Sequence, residues 1–514
     1  MSAFAVYELT LEKQGAARPA LDRLSLSLDG GETLVLLGEE GCGKTELLHT
    51  LAGVPDGVVS GTLRAGGADA VRAAKLTRPL LRTAYLPSAA AGPLNPRAPA
   101  LSQLLRIVAR KRGLSRGEAR ERFARIHERL EGAPPLAALE KPAGVLSRDT
   151  LAWGLFAAAF AQEPELVLAD HALAGLAPTQ ARLLVRALLA QQKRQGFMLL
   201  YAAMGTDEAA WLGGRVLVMR AGKVVEDAPF AALSAAPAHA YTQTFFKTVG
   251  TGSQANATPA RPSGRGQPVI QAYNLELGAS ADRRGGLSFE LRRGASLALL
   301  GEEGAGRRAL VRTLLGLERP KKGRVVLDAV DVGILAENML LRLRRRVAIV
   351  AGADGVLDPR MTLWDTVAEP LRAHLRLPRD LVANYRDAAL KRVGLATLPG
   401  ETAVAEISAF DKRRLQVARA IVTAPLLAVI DEPLRGLDAF AQSVMLDLLR
   451  NFRAQEGPAF LVVTSDFAVA RALCEEAMVL ADGEVIERGP LADLARAPKE
   501  PRTRALIEAA VGTF

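Results

Sequence analysis

Cysteine is nearly missing from this chain: its 514 residues hold two, Cys42 and Cys474, too few and too far apart to suggest a disulfide framework. Long uncharged apolar runs are missing as well, and none reaches the ~18 residues that a bilayer-crossing helix needs. The opening residues, MSAFAVYELTLEKQG, lack the basic start and apolar stretch of a secretory signal. These absences exclude an integral membrane protein and a disulfide-stapled secreted domain, and they set the expectation of a cytoplasmic protein.

What is present is ordinary globular composition, 49% hydrophobic and 24% charged, in a chain too long for one core. The formal net charge of +11 comes largely from arginine, which raises nucleic acid or an anionic membrane surface as a partner. The basic residues, however, are spread over amphipathic stretches such as RKRGLSRGEARERFARIHERL, where acids alternate with them. That pattern reads as a solvated helix face, so nucleic acid is not expected.

The chain repeats itself. LVLLGEEGCGKTELLHTLAG (34–53) matches LALLGEEGAGRRALVRTLLG (297–316) at an offset of 263. PELVLADHALAGLA (164–177) answers PLLAVIDEPLRGLD (425–438), and PAHAYTQTFFKTV (237–249) answers PKEPRTRALIEAA (498–510), each at an offset of 261. A near-constant offset through different local sequences means a duplicated domain. The expected division is a first domain over 1–249, a flexible linker over the Gly/Ser/Pro/Ala-rich 250–268, and a second domain over 269–514. In each copy an apolar run leads through a glycine-rich turn into a helical pattern, and a second apolar run ends on an aspartate, as parallel core strands do at a nucleotide site. Each copy is therefore expected to be α/β with a mostly parallel sheet, with a helical insert between the glycine-rich turn and the acidic strand.

Gly38, Gly41, Gly43, Lys44 and Thr45 satisfy GxxxxGK[ST] between a strand and a helix. Backbone amides there can cradle phosphates, Lys44 can reach the β and γ groups, and the Thr45 hydroxyl can hold magnesium. Asp170, at the end of the acidic strand, suits the same ion. In the second copy Arg307 and Arg308 stand in place of the lysine and the hydroxyl. A planar guanidinium needs more room than an ammonium, and Arg308 puts positive charge where magnesium belongs. This loop reads as a structural remnant, with binding of a different anion as the alternative.

The pattern resembles the ATP-binding cassette (ABC) family, and the resemblance covers nearly the whole chain. It implies two P-loop NTPase domains in tandem, each with an inserted helical subdomain, paired head to tail around ATP and Mg²⁺. Each site would join one copy's phosphate loop, here Gly38, Gly41, Cys42, Gly43, Lys44 and Thr45, to the other copy's signature turn at Ser408 or Ser147. The segments PAHAYTQTFF and PKEPRTRALIEAA resemble the tail of oligopeptide, dipeptide and nickel importer ATPases, and LDPRMTLWDTVAEPL (357–371) resembles the segment after their glutamine loop. That subfamily docks on membrane permease subunits at the inner face of the membrane and serves a substrate-binding protein indirectly.

The departures from the family pattern are equally specific. The water-activating glutamate survives as Glu432 but is His171 in the first copy, where it is either a general base or a neutral filler, the filler being favoured. The signature turns read LSRDT and ISAFD, so their glycines are lost, and Arg148, Asp149, Phe410 and Asp411 would crowd and repel a γ-phosphate. Ser88 and Ala351 replace the glutamines, Met204 and Ser465 the switch histidines. Cys42 offers a thiol open to oxidation or alkylation. The expectation is an importer component that binds ATP mainly at the first loop, with Mg²⁺ on Thr45 and Asp170 and turnover near background; the alternative is a pseudo-ATPase scaffold or regulator.

Overall fold

A computed structural model describes residues 3–511 apart from 15–17, 67–70, 74–78, 89–91, 254–265, 277–285, 303, 336, 353–356 and 376. The chain divides into two compact units, Met1–Thr251 with Asp438–Phe440 and Gly252–Leu437 with Ala441–Phe514. Most of the linker expected at 250–268 lies outside the described residues; helix continues to Ser253 on one side of it and strand begins at Pro268 on the other.

In chain order the first unit runs β1 (Phe4–Glu12), β2 (Leu21–Leu28), β3 (Thr33–Leu37), α1 (Lys44–Leu51), β4 (Val58–Ala65), β5 (Val71–Arg72) and β6 (Thr83–Pro87). Three helices follow, α2 (Ala100–Arg112), α3 (Arg116–Glu128) and α4 (Arg148–Ala161). Then come β7 (Leu166–Asp170), α5 (Pro178–Gln195), β8 (Met198–Ala202), α6 (Thr206–Leu212), β9 (Arg215–Arg220), β10 (Lys223–Pro229), α7 (Phe230–Ala235) and α8 (Ala240–Ser253). The core sheet has the order β10-β9-β3-β8-β7-β6, in which only the β9/β10 pairing is antiparallel.

Sequence explains the placement of these strands. TLVLL, LVLAD and MLLYA are apolar at nearly every position, as strands covered on both faces must be. Alternate residues of β3 serve different cores: Val35 and Leu37 pack with α2, α4 and α5, while Leu34 and Leu36 pack with α1 and β1. The second core is closed by a four-stranded antiparallel sheet, β2-β1-β4-β5, which the repeat pattern did not announce. The helical insert between loop and acidic strand is α2–α4. Its third helix is anchored by Ser147 at the N-cap and buried along Ala152–Ala161, and α3 opens with a reciprocal Ser115/Glu118 capping box.

The second unit repeats the plan: β11 (Pro268–Glu276), β12 (Leu287–Arg292), β13 (Ser296–Leu300), α9 (Arg307–Leu314), β14 (Lys322–Leu327), β15 (Val330–Asp331), α10 (Glu337–Arg344) and β16 (Val347–Ala351). After them come the insert helices α11 (Leu363–His374), α12 (Arg379–Arg392) and α13 (Ala409–Ile421), then β17 (Leu427–Asp431), α14 (Ala439–Glu456), β18 (Ala459–Thr464), α15 (Phe467–Leu473), β19 (Glu476–Ala481), β20 (Glu484–Pro490), α16 (Leu491–Arg496) and α17 (Pro501–Val511). Its sheet order, β16-β17-β18-β13-β19-β20, again has one antiparallel edge. The fold is thus α/β in both halves, as the sequence indicated. Among the described residues no helix is long and apolar enough to cross a membrane.

Candidate functional site

The first phosphate loop connects β3 to α1 at the carboxyl end of the parallel strands. Gly43 caps α1 with φ 107°, a conformation that glycine adopts without strain. Gly38 has φ 151°, and a Cβ there would stand 2.3 Å from the Met219 carbonyl oxygen. The second loop repeats both requirements: Gly306 caps α9 with φ 93°, and a Cβ on Gly301 would lie 2.5 Å from the Leu480 carbonyl oxygen. The frame is therefore enforced by packing against the neighbouring strand, which is why the glycines persist where lysine and threonine do not.

Within the first loop Lys44 is 4% exposed, and its Nζ donates to the carbonyls of Gly38 (2.6 Å) and Glu39 (3.1 Å). The Thr45 hydroxyl donates to Asp170 Oδ1 at 3.0 Å, so the two expected magnesium ligands meet. Both are hard oxygen donors, which suits Mg²⁺. The other oxygen, Oδ2, accepts from the Tyr85 hydroxyl at 2.7 Å, and that hydroxyl lies 2.9 Å from His49 Nε2. Neither Tyr85 nor His49 was singled out from sequence. The available signal was Tyr85 on β6, one strand over from the aspartate, where the repeat has Ile349. Tyr241 of the tail segment joins the same loop by accepting from the Glu39 amide at 3.4 Å.

Cys42 corrects one expectation. Its side chain turns inward, 5% exposed and 3.5 Å from Lys44 Nζ, and burial pushes the thiol pKa up. A buried, protonated thiol is not the reactive handle that its place in the loop suggested.

His171 follows Asp170 with φ 48°, and Glu432 follows Asp431 with φ 46°. Both left-handed backbones are pinned the same way, by an amide donating across the sheet: His171 to Ala202 (3.1 Å) and Glu432 to Val463 (2.7 Å). Burial, with the Lys44 charge next, pulls the imidazole pKa down to about 4, against the pull of Asp170. His171 is neutral at physiological pH, and so low a pKa makes it a weak base. Its Nδ1 is buried without a hydrogen-bond partner among the described residues, the environment of the filler rather than of an oriented catalyst.

In the second unit the guanidinium that replaces the loop lysine reaches across to the glutamate. Arg307 Nη1 lies 2.8 Å from Glu432 Oε1, with side chains 9% and 14% exposed. The same oxygen accepts from the Ser465 amide (2.9 Å), and Oε2 accepts from the Thr464 hydroxyl (3.1 Å). Glu432, expected to activate water, is held in a buried ion pair. Asp431 keeps its place but its pKa is raised, by burial and then by Glu432. With the exposed Arg308 where a hydroxyl would be, the second loop does not fit Mg²⁺.

The signature serines act as helix caps. Ser147 Oγ accepts from the Thr150 amide (3.1 Å) and Ser408 Oγ from the Asp411 amide (3.0 Å). Arg414 stacks over Phe410, 4.6 Å from the ring centroid, and its Nε donates to Asp411 at 3.1 Å. The repulsion expected from Asp411 is thus offset locally, a pairing that needs the helix to bring residues 411 and 414 to one face.

The ABC transporter family model matches residues 21–174 and 285–435. The chain is 28% identical over 519 residues to an uncharacterized ABC transporter ATP-binding protein, YejF, of Escherichia coli K12, covering 96% of both proteins. It is 29% identical to the peptidoglycan transport ATP-binding protein YejF of Agrobacterium fabrum, covering 96% of this chain and 94% of that protein. It is 27% identical to the glutathione import ATP-binding protein GsiA of Pectobacterium atrosepticum, covering 97% and 87%. Among solved structures, cbiO1 of Clostridium perfringens, part of an ABC transporter complex, aligns to 48% of this chain and 97% of its own at 24% identity and a TM-score of 0.41.

Proposed function

We propose, from the premise that this chain belongs to the ABC transporter family with two ABC domains in tandem, that it is the ATP-binding component of an importer of peptide-like substrates and binds Mg-ATP at its first phosphate loop. The observation that carries the reading is the asymmetry of the two loops. In the first, Lys44, Thr45 and Asp170 are gathered as phosphate and magnesium ligands, with Thr45 and Asp170 3.0 Å apart. In the second, Arg307 is spent on Glu432 at 2.8 Å. Mg²⁺, when bound, would offset phosphate charge and orient the nucleotide; the chain's part is to present loop amides, the Lys44 ammonium and the two oxygen ligands. The import assignment draws on the relatives named for glutathione import and peptidoglycan transport. Its partners would be membrane permease subunits, which places it in the cytoplasm at the inner face of the membrane.

Hydrolysis is proposed to be near background. The first copy offers a neutral imidazole with its pKa at about 4 where a carboxylate base belongs, and the second copy's carboxylate is engaged by three donors. Losing one electrostatic contributor commonly costs roughly 100- to 1,000-fold in rate. The test is a single-turnover incubation of excess protein with labelled Mg-ATP, counting bound nucleotide and released phosphate, beside Lys44→Ala. Lys44-dependent binding of intact ATP supports the reading; Lys44-dependent phosphate release at about 1 s⁻¹ or faster, ordinary for enzymes, overturns it. The same lack of a free catalytic carboxylate favours a second reading, a pseudo-ATPase scaffold or regulator that does not energise transport, which transport unaffected by Lys44→Ala would support.

A further inference from the structure

At the end of the first core sheet opposite the phosphate loop, a cavity of about 660 Å³ opens between the insert and the core, within the range of small-molecule sites. Arg82, just before β6, and Arg194, in the last turn of α5, approach it from the core; Arg122, Arg125 and Arg129 come from α3 and its C-cap. Five arginines thus face two glutamates, Glu163 and Glu165, in the loop before β7. Glu163 already pairs with Arg112 and Arg122, and Glu165 with Arg82. Arg125, Arg129 and Arg194 have no carboxylate partner among the described residues. The crowding is felt: burial and the charges of Arg112 and Arg125 pull the Arg122 pKa down.

The repeat supplies an internal control. The buried positions 119, 126, 127 and 130 of the first insert match 382, 389, 390 and 393 of the second, so Arg122, Arg125 and Arg129 correspond to Tyr385, Ala388 and Arg392. Arg194 corresponds to Gln455, and Arg392 Nη2 donates to Gln455 Oε1 at 2.7 Å. Arg82 corresponds to Arg346, which pairs with Asp328. The fold does not require the cluster, since its second copy is built without it. Arg122, Arg125 and Arg129 follow one another at three- and four-residue spacing over the end of α3, so their like charges stand close on one side of the cavity and an anion relieves their mutual repulsion.

We propose that this cavity is a binding site for a small polyphosphorylated anion, bridging α3 of the insert to the core through Arg125, Arg129 and Arg194. Guanidinium forks suit phosphate oxygens. Such a ligand would fasten the insert to the core from the end of the sheet remote from ATP. The test is calorimetric titration of the full chain with inorganic tripolyphosphate in the Lys44→Ala background, which removes the phosphate loop as a competitor, and again after Arg125→Gln, Arg129→Gln and Arg194→Gln. The expected result is binding that survives Lys44→Ala, weakens as salt is raised, and falls by about 100-fold or more in the triple variant. Hydrogen exchange of α3 amides slows on binding only while the three arginines are present. ATP binding by the triple variant with Lys44 intact reports that it folds; should it not fold, Arg125→Glu alone is expected to weaken tripolyphosphate binding at least tenfold. Binding that vanishes in Lys44→Ala, that is unchanged in the arginine variants, or that citrate or phosphatidylglycerol vesicles match at equal charge overturns the proposal.

Discussion

Replacing Arg307 by methionine tests the second loop most directly. At 2.8 Å the attraction between the two charges is about 6 kcal/mol for an effective dielectric of about 20, but bringing both ions out of water costs several kcal/mol each. The pair as a whole therefore contributes little net stability, while deleting one partner leaves Glu432 buried with only the Ser465 amide and the Thr464 hydroxyl. That imbalance is worth about 3–5 kcal/mol. Arg307→Met should accordingly destabilise the second unit by about 3–5 kcal/mol, and adding Glu432→Gln should restore most of it. Native-state hydrogen exchange of the β17 and β13 amides measures this in the full chain, since it reads the opening of one unit without requiring the whole chain to unfold in a single step. Exchange through global opening of that unit should accelerate by about 150- to 5,000-fold in the single variant and return toward wild type in the double. A change below about 1 kcal/mol in Arg307→Met would refute the ion pair and return Arg307 to the pool of residues free to meet an anion.

Three further outcomes follow from the geometry. Arg307→Lys with Arg308→Ser rebuilds the GxxxxGK[ST] pattern on a loop whose glycine frame is intact, and equilibrium dialysis should then find about two ATP per chain instead of about one. Tyr85→Phe removes the hydroxyl that occupies Asp170 Oδ2, so the Mg²⁺ concentration giving half-maximal nucleotide binding should fall by about 3- to 10-fold; a rise would mean that Tyr85 orients the carboxylate instead. Burial pushes the Glu208 carboxyl up to about 7, against the Met204 amide that donates to it. An acid whose folded pKa lies above its unfolded value binds more protons when folded, so its contribution is present at low pH and is lost as pH rises toward 7. The first unit should lose up to about 3 kcal/mol between about pH 4.5 and 7 from this group. Glu208→Gln should flatten that slope in denaturation measured across the same range.

The repeat, the fold class and the first phosphate loop were legible in the order of residues, because each depends on local chemistry. A near-constant offset exposes duplication without any knowledge of contacts. Continuous apolar runs mark strands covered on both faces, and the glycines, lysine and threonine of the first loop lie within eight consecutive residues. The helical insert was visible for the same reason, in the amphipathic periodicity of stretches such as RKRGLSRGEARERFARIHERL. The antiparallel sheets were not, since β1 pairs with both β2 and β4 across bulges that shift its register, and β4 follows only after the phosphate loop and α1.

What only the tertiary structure decided is which side chains meet. Arg307 and Glu432 are 125 residues apart, and sequence offered each as an isolated departure or survival; the fold makes one the partner of the other, so that a lost lysine and a retained glutamate become one buried ion pair. Tyr85 and Asp170, or Arg82, Arg125 and Arg194, are likewise brought together by parallel strands and by an insert folded back on the core. Local pattern determines what kind of element each segment forms and which residues carry charge. Whether a charge is spent, shared or left available depends on distances of a few ångströms between segments far apart in the chain, where the strength and cost of a contact are set by burial.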